Sequence, residues 1–495
     1  MTIQSEIQAL KCADCARSDS AVSDLRPDSL LPIPADALSG WQDGRPGSDG
    51  VTRRKLLRNG VLGFAAVYGA TQLSFEEVWE AAVAQAAEPM QKSLVVIYLN
   101  GGNDGLNCFV PTSAPEYAKY QALRPTIARS LGDGVGGKVG TTVMNSTGGT
   151  LAFSNKLVSG TGADRNGDVF GFDTLYGDGT GGAGSDLAII PAADYNPPNR
   201  SHFESRDYWF AGALSQLQTG WLGRWLDTYG SQVNPLQAVS LDSNLSKQIR
   251  SATAPVCALE GLQGVGFGVP GVTADVNSEV GKLAAVPFGA TNAALGRSRG
   301  MMGLTVDVAN RLSTLSGVAA GPGYPPNSGL SQKLQLAATL LAAGMGTRVI
   351  TIDWGSFDTH GDQLAGQDPQ LSTLSRSLAA FKADLAARGV EQNVITMVFS
   401  EFGRRLEESD SAGTDHGSGG PIMLSGSAVK GGLAGEHPGV NVNQDGDLVV
   451  KTDFRTVYQS LIAEWLGGDP NAILPGGPFD GIHRYDGGTT LTKAA

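Results

Sequence analysis

Asp358-Thr359-His360 places a carboxylate and an imidazole two residues apart in a loop that continues into Gly361. Both groups can point at one cation, with capping of local amides as the structural alternative. Thr414-Asp415-His416-Gly417 repeats the pairing on a glycine-rich loop between two apolar runs, Val394–Ser400 and Pro421–Leu424. A core has little use for Asp-His there, so the stretch points to metal or phosphate-type chemistry. Asp104 stands in the turn Asn100-Gly101-Gly102-Asn103-Asp104-Gly105. Glycines let backbone approach a ligand closely, and Asp is a hard oxygen ligand; it also caps turns. Asn199-Arg200-Ser201-His202 opens a helix reaching Tyr208-Trp209. Ser201 is there either a cap or a hydroxyl held in positive potential, suited to an anion or to nucleophilic attack. His202 either serves that site or packs. His437 and His483 lie in Pro/Gly loops and are expected at the surface.

These groups need elements that bring them together. Leu94–Leu99, Leu187–Ile190, Ala238–Leu241, Arg348–Asp353 and Val394–Ser400 are continuous apolar runs, as buried parallel strands require. Between them lie amphipathic helices: Ser331–Ala343, Leu374–Arg388 stopped by Gly389, and Asp453–Leu466 with Asp453 as cap and Gly467 as stop. The alternation predicts an α/β fold, a doubly wound, mostly parallel sheet flanked by helices, with active groups at the strand C-ends. Glycine-rich stretches near 132–185 and 264–327 read as surface insertions. Asn441-x-Asn443-x-Asp445-Gly446-Asp447 has a calcium-loop spacing, but Thr452 stands where that loop needs Glu, so a turn at Asp445-Gly446 is expected.

Apolar residues make up 41% of the 495-residue chain, enough for a sizeable core, which excludes a wholly disordered protein. The net charge of -12 argues against nucleic acid as a partner, since that requires a basic footprint. Thr52-Arg53-Arg54-Lys55-Leu56-Leu57-Arg58, the apolar stretch Val61–Ala70 and Ala82-Val83-Ala84 together read as a twin-arginine signal peptide over 51–84. The apolar stretch is too short for a stable membrane span. Residues 1–50, with Cys12-x-x-Cys15, are a disordered extension or a misassigned start; the mature domain is 85–495. An exported chain permits a Cys108–Cys257 bridge, but Cys108, beside Phe109-Val110, is expected as a buried free thiol. These features imply the twin-arginine translocase as a partner and a periplasmic or secreted location.

The export signal, LVVIYLNGGNDGLNCFVP, RSHFESRDYW, SFDTHGD, VFSEFGRR, TDHGSGGPIMLSG and DFRTVYQSLIAEWLGG follow one another in a characteristic order. The series resembles the bacterial domain-of-unknown-function family fifteen-oh-one, which looks like a branch of the alkaline phosphatase/sulfatase superfamily. The resemblance covers about residue 50 to the end. It implies an alkaline phosphatase-like fold holding one or two divalent ions, with zinc favoured and calcium, magnesium or manganese as alternatives. Asp104 matches the metal-binding Asp after the first strand, Ser201 the nucleophile, and Asp358, His360 and His416 the second ion's ligands. Glu401 and Asp415 are further ligand candidates, and Arg200 would neutralise a substrate oxyanion beside His202. The sequence departs from the superfamily at Ser400-Glu401-Phe402, where Asp-His is usual, and it has no sulfatase Cys-x-Pro-x-Arg motif. The expected activity is metal-dependent hydrolysis of a small anionic phosphate or sulfate ester by a serine nucleophile. The alternative is a non-catalytic exported binding or assembly protein with a degraded metal site. A conventional serine hydrolase is disfavoured, because no Gly-x-Ser-x-Gly surrounds Ser201.

Overall fold

The apolar runs lie side by side as strands in the computed structural model, which describes residues 66–68, 91–131, 139–146, 149–160, 168–177, 185–262 and, with gaps, 280–493. In chain order the strands are β1 (Ala66–Tyr68), β2 (Ser93–Leu99), β3 (Phe109–Pro111), β4 (Val139–Ser146), β5 (Gly149–Ser154), β6 (Leu187–Asp194), β7 (Ala238–Ser240), β8 (Val256–Ala258), β9 (Val349–Trp354), β10 (Val394–Ser400), β11 (Gly420–Ser425), β12 (Gly432–Leu433) and β13 (Thr452–Asp453). The main sheet runs β1-β8-β7-β9-β2-β10-β11-β6-β12, with β13 also on β6. From β8 to β10 every pairing is parallel. β11 is antiparallel to both β10 and β6, so β6 again points the way of β10.

The continuous apolar runs follow from this layering, because both faces of the sheet are covered. Val95, Ile97 and Leu99 pack against Leu334, Leu341, Leu374 and Leu378 of the helices Gly329–Ala342 and Gln363–Ala387. The alternate residues Leu94, Val96 and Tyr98 meet Trp209, Trp221, Trp225 and Tyr458 on the opposite face. The protein is thus a mixed α/β structure with a large, mostly parallel sheet flanked by helices.

The second helix begins well before the expected Leu374, running from Gln363 straight through Pro369. Proline removes a helical donor, which is why sequence favours a later start. Tertiary contacts of Gln363 and Gln367 hold the added turns, through Asp104 and Asn103 respectively. In the first glycine-rich insertion, β4 and β5 form a hairpin that joins β3 in a small antiparallel sheet. The turn near Asp445 is a hairpin, with the Asn443 amide donating to the Asp447 carbonyl at 2.8 Å. Cys108 and Cys257 are buried free thiols. The twin-arginine motif, Cys12, Cys15, the Ala82–Ala84 site, His483 and most of 264–327 lie outside the described residues.

The C-terminal ends of β2, β6, β9 and β10 share one edge with the N-terminal end of β11. The loops leaving that edge are Asn100–Asp104, Tyr195–Ser201, Gly355–Asp362 and Glu401–Gly419.

Candidate metal centre

A glycine turn lets two of these loops touch. Gly101 and Gly102 have φ of 112° and 83°, in the region that favours glycine. A Cβ on Gly101 would overlap the Asp358 backbone, and one on Gly102 the Phe402 ring. The turn is tied down by Ser400, whose hydroxyl accepts from the amides of Gly102 and Asn103 at 3.0 and 3.1 Å. The loop after β10 folds back on itself: Arg404 pairs with His416, and the Gly417 amide donates to the Gly403 carbonyl at 3.0 Å. These contacts bring His416 over Asp358.

Three imidazoles converge on that carboxylate. Nε2 of His360 lies 2.9 Å and Nε2 of His416 3.0 Å from Asp358 Oδ1. Nε2 of His202 lies 3.4 Å from Oδ2 of the same group. The Nε2 atoms of His360 and His416 are 3.0 Å apart. Ligand atoms of His202, Asp358 and His416 all fall within 4.8 Å of one another.

The outer nitrogen of each ring faces an oxygen that cannot donate. Nδ1 of His202 is 2.7 Å from Glu401 Oε1, that of His416 2.9 Å from the Arg200 carbonyl, and that of His360 3.0 Å from Asp415 Oδ1. Each Nδ1 therefore carries a hydrogen, and in the neutral rings each Nε2 turns a lone pair inward. Three inward lone pairs and a carboxylate repel one another unless a proton or a cation lies between them. His202, Asp358 and His416 form a donor set that could hold one divalent cation, with the orienting partners that metal-bound histidines usually have.

The titration behaviour reflects the same crowding. Burial works against charge on His202, but Asp358 and Glu401 outweigh it and raise the ring to about 9. Burial keeps His416 below the ordinary histidine value despite its bond to Asp358, and Arg404 and His202 reinforce the effect. The two rings move oppositely because His202 faces two carboxylates, Asp358 and Glu401, whereas His416 has Asp358 alone and the Arg404 charge against it. Burial would raise Asp358, yet His202, His360, His416 and Arg404 hold it far below the usual carboxylate range. His416 is 5% exposed, whereas His202, His360 and Asp358 keep 21, 25 and 29%. The centre therefore keeps partial access to solvent.

Asp358, His360 and His416 come together, and His202 joins them as a further inward group whose ring also packs against Phe402. Asp104 does not join them. It caps the helix Gly105–Cys108, accepting from the amides of Leu106 and Asn107, and pairs with buried Arg124 at 2.6 Å. Gln363 also donates to it, so its oxygens are already satisfied within the fold. Glu401 and Asp415 are outer partners of His202 and His360, each acting through an imidazole. Glu401 is fully buried and fixed by the amides of Gly101 and Gly102 at 3.0 and 3.3 Å. The Arg200 guanidinium is turned away to Asp447 and Asp445, and its carbonyl is what serves the centre. Ser201 stands at the N-cap of the helix His202–Ala211, but its side chain makes no cap hydrogen bond. His437 is buried, contrary to its expected surface position, because its Nδ1 accepts from the Gly439 amide at 3.0 Å inside the loop.

Arg404 is the participant that sequence reading missed. Its buried guanidinium reaches Asp358 Oδ1 at 2.6 Å, the Gly102 carbonyl at 2.8 Å and the Thr414 carbonyl at 2.7 Å, binding three loops together. The available signal was a paired arginine immediately after a buried strand.

Fold and centre together define a mixed α/β protein with three histidines and one aspartate gathered at a sheet edge. Residues 312–463 match the model of a family described as a protein of unknown function, DUF1501. The matched stretch contains Asp358, His360, Glu401, Arg404 and His416, while His202 lies outside it. No curated protein matches the chain.

Proposed function

We propose that the chain is an exported, metal-dependent hydrolase of small phosphate or sulfate esters, built on an alkaline phosphatase-like fold. The observation that carries the proposal is the convergence of three inward Nε2 atoms on Asp358, each ring held by an acceptor on its far side. His202, Asp358 and His416 would hold one divalent ion, with His360 beside them as a further ligand candidate and zinc favoured by the nitrogen-rich set. Such an ion supplies Lewis acidity toward an ester oxygen.

The chain's own residues do the rest. Glu401, Asp415 and the Arg200 carbonyl hold the three rings in one tautomer. Arg404 keeps Asp358 ionised and pins its loop. Ser201 precedes His202 at a helix start, with its hydroxyl not spent on capping, and is the nucleophile in this reading. The exposed side of the centre admits the substrate. Export through the twin-arginine translocase to the periplasm or the medium rests on Thr52–Arg58 and the stretch that follows.

Ser201→Ala tests the assignment. A lost cap costs about 1 kcal/mol, and here no cap bond is present to lose. The variant should melt within a few degrees of wild type, keep its metal, and lose nearly all turnover of an aryl phosphate or sulfate that the wild type hydrolyses. Unchanged turnover on that substrate would remove Ser201 from the mechanism.

A further inference from the structure

The arginines nearest the centre are mostly committed. Arg200 is paired with Asp447 and Asp445, Arg404 with Asp358, and Arg405 faces Asp447 at 3.7 Å. Arg206 is different. It is half-buried, and among the described residues it has no carboxylate partner within ion-pair distance. Its guanidinium instead lies over the ring of Phe203, 5.6 Å from the centroid. Phe203 is itself 47% exposed and so free to receive a ligand's ring.

Both residues share the helix His202–Ala211 with an inward-facing imidazole. At about 100° per residue, Arg206 falls roughly 40° from His202 and roughly 60° from Phe203 around the axis. Arg206 therefore sits between the two, one turn or about 6 Å further along. Its charge also acts on Asp353 and Tyr98, the penultimate residues of β9 and β2. At that distance it addresses a group beside the reacting centre, not the reacting group itself.

We propose that Phe203 and Arg206 form a leaving-group subsite for an aromatic ester carrying a second anionic group of the carboxylate class. The substrate ring lies against Phe203, and the carboxylate pairs with the Arg206 fork. This inference rests on the ester-hydrolase reading and names its substrate class.

Calorimetry on the zinc-loaded full chain tests it, with phenylphosphonate and 4-carboxyphenylphosphonate as unhydrolysed probes. The wild type should bind the carboxylated probe about tenfold more tightly, as one charge-assisted pair allows. Arg206→Gln should erase that preference while zinc content and phenylphosphonate binding stay within about twofold. Arg206→Lys should keep part of the preference. Phe203→Ala, at an exposed position where folding is not at stake, should weaken both probes. Equal binding of the two probes by wild type, or a preference that survives Arg206→Gln, would overturn the subsite and leave the hydrolase reading standing. Failure of zinc-loaded wild type to bind phenylphosphonate would overturn both.

Discussion

Replacing Glu401 by Gln separates an outer orienting carboxylate from a direct metal ligand. Glu401 Oε1 accepts from the Gly101 amide and from His202 Nδ1, while Oε2 accepts from the Gly102 amide and the Ser400 hydroxyl. Glutamine keeps the shape and one acceptor oxygen. If that oxygen faces His202 and the Gly101 amide, the NH2 is forced against the Gly102 N–H, at a cost of about 1–3 kcal/mol in stability. If it faces the turn, His202 loses its acceptor and the tautomer is no longer fixed. Loss of an orienting partner of a metal-bound histidine costs typically about 10–100-fold in metal affinity, or about 1.4–2.7 kcal/mol. Competition with a chromophoric chelator measures that affinity, and melting in the presence of a chelator measures the stability cost separately. An unchanged zinc Kd would refute the orienting role. Complete loss of binding, equal to that of His416→Ala, would mean that Glu401 ligates directly.

Zinc binding should also release protons. Without metal, His202 titrates at about 9 and is charged at pH 7.5, held by Asp358 and Glu401 against its burial. The metal displaces that proton, so calorimetry in buffers of different ionisation enthalpy should show about one proton released at pH 7.5, with fewer released above pH 9; no buffer dependence at pH 7.5 would contradict this. His437 moves the other way, with burial holding its ring down to about 4 from an ordinary 6.5. A depressed folded-state value means stability that is present above pH 6.5 and lost as pH falls through 4, worth roughly 3 kcal/mol for a group this buried. Chemical denaturation of His437→Asn should lose that component of the acid limb, and curves parallel to wild type between pH 6.5 and 4 would exclude it.

Much of the architecture was legible in the sequence, for a physical reason. A strand buried on both faces must be apolar throughout, and a helix on its surface must be apolar every three or four residues. Val394–Ser400 and Asp453–Leu466 could therefore be placed with little error. The direction of β11 could not, since an apolar run reads the same both ways. Asp358, His360 and His416 stood out because core packing gives Asp-His no use at strand ends. Asp104 stood out for the same reason and has a different role, because Arg124 satisfies it within the fold. The orienting role of Glu401 and the clamp made by Arg404 depend on partners up to 303 residues away. No spacing along the chain encodes which ring nitrogen faces which oxygen.

The proposed function stands or falls on whether His202, Asp358 and His416, with His360 beside them, bind a divalent cation. Its most direct test is metal analysis of the purified mature protein after zinc loading and desalting, paired with melting before and after chelation. The protein should carry about one equivalent of zinc and show a Tm that falls on chelation, because the ion's binding free energy adds to folding. His416→Ala and Asp358→Asn should hold little metal and show little response. Less than about 0.1 equivalents of any divalent metal, with no thermal response to Zn²⁺, Mn²⁺, Mg²⁺ or Ca²⁺, would contradict the account.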